Sequence, residues 1–155
     1  MKLKRKMTRG SLILEALIAI GIAAAIGIAV ATLVVAVTSF ARNSVEREEA
    51  IEQAREGISA METISFSSLS PIAGGVISFA SNTWGVSAGS PEVLPNGMTR
   101  SVDVVAVNRD GACLITEVGG TVDPDSLELV STVSWTDVEG RAQTITANRL
   151  VTNWE

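Results

Sequence analysis

Among the residues whose type and spacing bear on chemistry, Glu15 comes first. It is the only charged residue between Ser11 and Ala41, and the 26 residues from Ala16 to Ala41 carry no charge at all. A carboxylate at that depth in lipid costs several kcal/mol, roughly, unless something pairs with it. Glu15 therefore asks for a cationic partner. The rest of the chain offers little for catalysis: histidine is absent and Cys113 stands alone. Neither a histidine-activated nucleophile nor a His/Cys metal cluster can be built, so an enzyme is not expected. Asp123, Asp125 and Glu128 have the short spacing of a Ca²⁺ ligand set but lack the glycine and ligand count of an EF-hand loop. A turn in which Asp and Ser bond local backbone amides is the simpler reading, and neither metal nor other cofactor is expected.

The element that must carry Glu15 is a helix. The apolar run exceeds the ~30 Å hydrocarbon core at ~1.5 Å per helical residue. It follows a basic leader with Lys2, Lys4, Arg5, Lys6 and Arg9. By the positive-inside tendency the N-terminus stays cytoplasmic and the C-terminal part lies across the membrane, in a single pass. A secretory signal has a shorter apolar core that is itself discarded, and fits less well. A plain signal anchor remains an alternative that leaves Gly10 and Glu15 unexplained. Gly21, Gly27 and several alanines allow close helix approach. With no proline before Pro71, Gly27 and Thr32 are candidates for softening the helix.

From Arg42 the pattern becomes amphipathic. Val45, Ile51, Ala54, Ile58 and Met61 recur at helical spacing, with Arg47, Glu48, Glu49, Glu52, Arg55 and Glu56 on other faces. One helix is expected from about Ser11 to about Ile64. Its acidic face is either solvated or in contact with neighbouring subunits.

The leader, Gly10, the apolar segment Leu12-Ile13-Leu14 and Glu15 resemble the prepilin-type cleavage and methylation motif of type IV pilins and pseudopilins. The resemblance implies that a membrane prepilin peptidase cuts between Gly10 and Ser11. It also implies N-methylation of the new Ser11 amine, and an assembly role for Glu15 toward neighbouring pilin subunits. Ser11 departs from the phenylalanine usual in the family at the methylated position. The resemblance further implies an inner-membrane assembly platform as partner, contact with membrane lipid before assembly, and an extracellular filament afterwards.

Beyond the helix, 65–97 is rich in Ser, Gly, Pro and Asn and reads as a connecting region with little regular structure. An antiparallel sheet of about four strands is expected over 98–155. Met98 to Asn108 follows the Asn96-Gly97 turn, and Ala112 to Val118, containing Cys113, follows Arg109-Asp110-Gly111. Leu127 to Thr136 follows Asp123-Pro124-Asp125-Ser126, and Arg141 to Leu150 follows Glu139-Gly140. In the third strand Leu129, Val133 and Trp135 share one face. Cys113 is read as a small buried apolar residue, and Trp154 as a cover for the sheet edge. The fold class is α+β: leader 1–10, membrane half 11–41, amphipathic half 42–64, connection 65–97, sheet 98–155. The tail motifs Val133-Ser134-Trp135 and Leu150-Val151-Thr152-Asn153-Trp154 resemble the C-terminal half of PilV-like minor pilins, which implies the type IV pilin fold.

Cutting after Gly10 removes five basic residues, leaving seven arginines against 17 acidic residues, a formal charge of −10. Such a chain has no basic stripe for phosphates, so direct nucleic-acid binding is not expected. Three functions follow from the residues and the resemblance. They are a major or minor pilin serving adhesion, motility or DNA uptake, a pseudopilin of a type II secretion system, and a membrane-anchored extracytoplasmic binding domain without a filament.

Overall fold

The structure, a computed structural model, describes residues 9–116 and 119–153, with 9–11 described by their backbone alone. Most of the basic leader, the end of the expected 112–118 strand, and Trp154 lie outside the described residues.

The chain is α+β. A single helix, α1, runs from Arg9 to Glu62. It is unbroken through Gly27 and Thr32. Both threonines in its apolar half bond back to the preceding turn, Thr32 to the Ala29 carbonyl at 2.9 Å and Thr38 to the Val35 carbonyl at 2.9 Å. The helix ends two residues before the expected Ile64, where Thr63 turns its hydroxyl onto the Ala60 carbonyl at 2.7 Å. The residues divide into two compact units between Arg42 and Asn43. In the first unit, the large apolar side chains from Leu12 to Val37 are all more than half exposed.

The second unit packs the last third of α1 on a sheet. The inward face has Ala54, Ile58 and Met61 as expected, with Ala50 and Gly57 in place of Val45 and Ile51: Val45 is 64% exposed and Ile51 only half-buried. The small residues point inward because they let the helix approach the strands. Ile58, Ala60 and Met61 meet Ile77, Val102, Val104, Leu127 and Leu129, while Ala50 and Ala54 meet Leu94, Met98 and Val133.

Among the described residues the sheet is antiparallel and has seven strands rather than about four. They are β1 (Ile72–Ala80), β2 (Thr83–Ala88), β3 (Glu92–Val93), β4 (Thr99–Arg109), β5 (Ile115–Thr116), β6 (Thr121–Thr136) and β7 (Ala142–Thr152). The order is β2-β1-β4-β6-β7, with β3 and β5 also paired to β4. Three of the strands lie in the 65–97 segment expected to be irregular. Ser81 and Asn82, both at positive φ, form a two-residue turn that joins β1 to β2 in register from Ala80↔Thr83 to Gly75↔Ala88. Gly74 and Gly75 form a bulge: Gly74, at φ 65°, donates its N–H to Asp103 at 2.6 Å while the pairing with β4 shifts.

Two further expectations are corrected. Asp123-Pro124-Asp125-Ser126 is not a turn before a strand but a bulge within β6. Val107 pairs with Asp123 and Ala106 with Leu127, so residues 124–126 have no partner on β4, which is where proline is tolerated, while Ser126 still pairs with Thr152 of β7. The expected strand at Ala112–Val118 shrinks to Ile115–Thr116 among the described residues, and Cys113 is exposed in the preceding turn at φ 62°. Asp110 holds that turn, its carboxylate accepting the Ala112 and Leu114 N–H groups at 2.9 Å each. Leu129 and Val133 are fully buried on the inner face of β6 as expected, with Trp135 half-buried beside them.

Candidate processing and assembly site

Gly10 and Ser11 lie in the first turn of α1, where backbone N–H groups have no partner within the helix. A peptide bond there can be freed from helical geometry more readily than one further in. Glu15 follows Ser11 by four residues, about 6 Å along the axis at 1.5 Å per residue, so the two positions are one turn apart on the same side. Glu15 is solvent-exposed, as are the apolar residues around it, Leu12 at 52%, Ile13 at 64% and Leu14 at 61%. The carboxylate thus stands near the N-terminal end of an exposed apolar surface. The helix is long and apolar enough to cross a membrane.

The head positions its own charges more tightly. Arg100, on β4, is a buried cation that sequence reasoning missed. Its Nη2 and Nε donate to Glu92 at 2.6 and 3.0 Å, and its Nη1 to the Gln53 carbonyl of α1 at 3.0 Å. It therefore ties β3, β4 and the helix together. Its signal was slight: one arginine alternating with Val102 and Val104 on a strand face otherwise apolar.

The calcium candidates do not converge. Asp123 is held by Arg109 at 2.5 Å, and Arg109 also donates to the Ser126 hydroxyl at 3.2 Å and the Cys113 carbonyl at 3.0 Å. Glu128 accepts from Asn148 at 2.8 Å. Among the described residues no group of three or more His, Cys, Asp or Glu side chains is placed to hold a metal. The Arg109 guanidinium, with the Ser126 hydroxyl and the Asp125 N–H, pulls the Asp123 carboxyl down to about 2.

A second carboxylate, Asp137, organises the β6–β7 turn. Burial pushes its pKa up, but the Arg141 N–H and guanidinium and the Gln143 amide outweigh that and hold it below the ordinary value. It accepts from Arg141 N at 2.8 Å, Arg141 Nε at 2.8 Å and Gln143 Nε2 at 3.0 Å. The next acid in the turn, Glu139, receives the Asn43 amide at 3.1 Å, so the turn clasps α1 where the second unit begins.

Comparison of the chain with protein-family models, with curated proteins and with solved structures gives no match.

Proposed function

We propose that this chain is a structural subunit, major or minor, of a type IV pilus-like filament. A prepilin peptidase removes the leader after Gly10, the chain waits in the cytoplasmic membrane with its head outside, and the exposed half of α1 then assembles with other pilin subunits on an inner-membrane platform. Adhesion, motility and DNA uptake are the uses open to such a filament. One observation carries the reading: a single 54-residue helix whose first part is uncovered and apolar, with one carboxylate five residues after a glycine, and whose last part is packed on a sheet. A soluble fold would cover that surface, and a plain anchor would have no use for the carboxylate.

The test is the mature N-terminus. Mass spectrometry should find Ser11 first, with or without a methyl group, when the chain is made beside a prepilin peptidase. Electron microscopy should find filaments that disappear on deletion. A chain that keeps its leader would sink the proposal, and lost export of secreted proteins with filaments intact would move it to a type II secretion pseudopilin.

A further inference from the structure

We infer that the head holds a binding site for a small aliphatic amine, in a recess between α1 and the adjoining ends of β4 and β6, with the ammonium group on Glu46 and Glu49 and the alkyl stem on Trp135. The inference goes beyond the filament reading above and does not depend on it. The buried face of α1 runs back from Ala54 to Ala50, and four and seven residues before Ala50 it reaches Glu46 and Asn43. A carboxylate and an amide, both half-buried, stand there in place of apolar side chains. Glu46 Oε2 and Asn43 Oδ1 are shut off from solvent, and among the described residues neither accepts a hydrogen bond. Acceptor oxygens left so are costly until a donor reaches them.

Glu46 lines a recess of about 350 Å³ together with Glu49, Asn96, Trp135 and Thr136. Glu49 accepts the Asn96 amide at 2.7 Å, which holds its carboxylate in place. Among the described residues neither Glu46 nor Glu49 is in an ion pair, and the guanidinium of the β6–β7 turn, Arg141, is taken by Asp137 and Glu139. The recess is therefore anionic, and its shape selects the cation. A bare metal ion needs neither this volume nor an indole wall, and among the described residues no group of three metal-binding side chains is placed to hold one. An alkylammonium uses both features, since its head donates to the carboxylates while its stem and charge lie against the indole. The chain's lysines, Lys2, Lys4 and Lys6, all lie in the basic leader, so the head has no alkylammonium of its own to seat there.

Calorimetric titration of the full-length chain in a non-ionic detergent with propylammonium chloride tests this, against sodium chloride at the same ionic strength. Propylammonium should saturate one site and sodium should not. Glu46→Gln, which keeps the shape and removes the charge, should weaken binding about tenfold or more. Glu49→Gln should act in the same direction, so the test does not rest on one variant. Glu48→Gln, at an exposed position outside the recess, should leave binding unchanged. Absence of saturation, equal heats from sodium, or equal losses in Glu46→Gln and Glu48→Gln would overturn the site. Tighter binding of the peptide Gly-Lys-Gly than of propylammonium would overturn the free amine in favour of a lysine carried by a partner protein.

Discussion

Gly57 of α1 lies directly against Ser131 of β6: a Cβ built on the glycine would stand 3.1 Å from the Ser131 Cβ and 3.2 Å from the Arg100 Cδ. The absence of a side chain at 57 sets how closely the helix meets the sheet. Ser131 is itself fully buried, and its hydroxyl has no hydrogen-bond partner among the described residues.

Gly57→Val should therefore destabilise the head by about 1–3 kcal/mol through overpacking. Ser131→Ala should be neutral or stabilising, because it removes a buried hydroxyl that bonds nothing. In the Ser131→Ala background Gly57→Ala should cost less than in the parent, with a coupling of about 0.5 kcal/mol or more. Urea unfolding of a chain beginning at Arg42 measures all three. Strict additivity would show that the two residues do not share the contact described.

Arg100 makes a second seam. Arg100→Ala should cost about 3 kcal/mol, the lower end for a broken buried pair, because Glu92 keeps a side chain 34% exposed and can be rehydrated. Arg100→Lys should recover little, since an ammonium cannot reach Glu92 and the Gln53 carbonyl with the fork that does so now. Full recovery by lysine in the same unfolding measurement would show that charge alone, not the bridging geometry, is what matters.

The pairing of strands and the tight place of α1 were only partly legible in the sequence. Alternation in Leu127 to Thr136 exposes β6 because one face is buried and the other wet. β1 and β2 were hidden by Gly74-Gly75 and by the serines, although Ser81-Asn82 between Phe79 and Trp84 is a short hairpin signal; those two aromatics face each other with ring centres 4.9 Å apart. On the inward face of α1, Ala54, Ile58 and Met61 are legible from their spacing, whereas Ala50 and Gly57 are not, because hydrophobic size marks Val45 and the sheet selects small residues for closeness. Cys113 was placed inside on residue type alone, which says nothing of a turn held by Asp110. At the candidate site the spacing of Gly10 and Glu15 is plain in the sequence, whereas Arg100 and Asp137 act through partners distant in the fold or buried in a turn.

Acid should loosen the head. Asp123 is lowered from 3.8 to about 2 by Arg109, and Asp137 is lowered too. Below pH 3.8 the unfolded chain takes up protons at these groups that the folded chain refuses. Their stabilisation is thus complete above that pH and is lost as pH falls through the lowered folded-state values, about 2 for Asp123. Thermal melts from pH 5 to pH 2 should fall less steeply for Asp123→Asn and Asp137→Asn than for the parent. Parallel curves would mean that the two carboxylates do not govern the acid limb.

The last expectation concerns Glu15 and the amine that cleavage would create at Ser11. Both would lie at one end of an apolar helix surface that is exposed among the described residues, and each is costly there if unpaired. They are one turn apart in a single chain, so a bond within the chain is available, yet it would leave the surrounding apolar surface bare. A neighbouring helix covers that surface and brings an amine to the carboxylate in one step. Glu15→Ala should then be inserted and cleaved normally but enter filaments poorly. Glu15→Asp should be intermediate, keeping the charge with a shorter reach, and Gly10→Val should block the cut while leaving insertion intact. Immunoblots for processing and quantitation of sheared filaments separate the steps. Normal assembly of Glu15→Ala alongside parent subunits would refute the role assigned to this carboxylate.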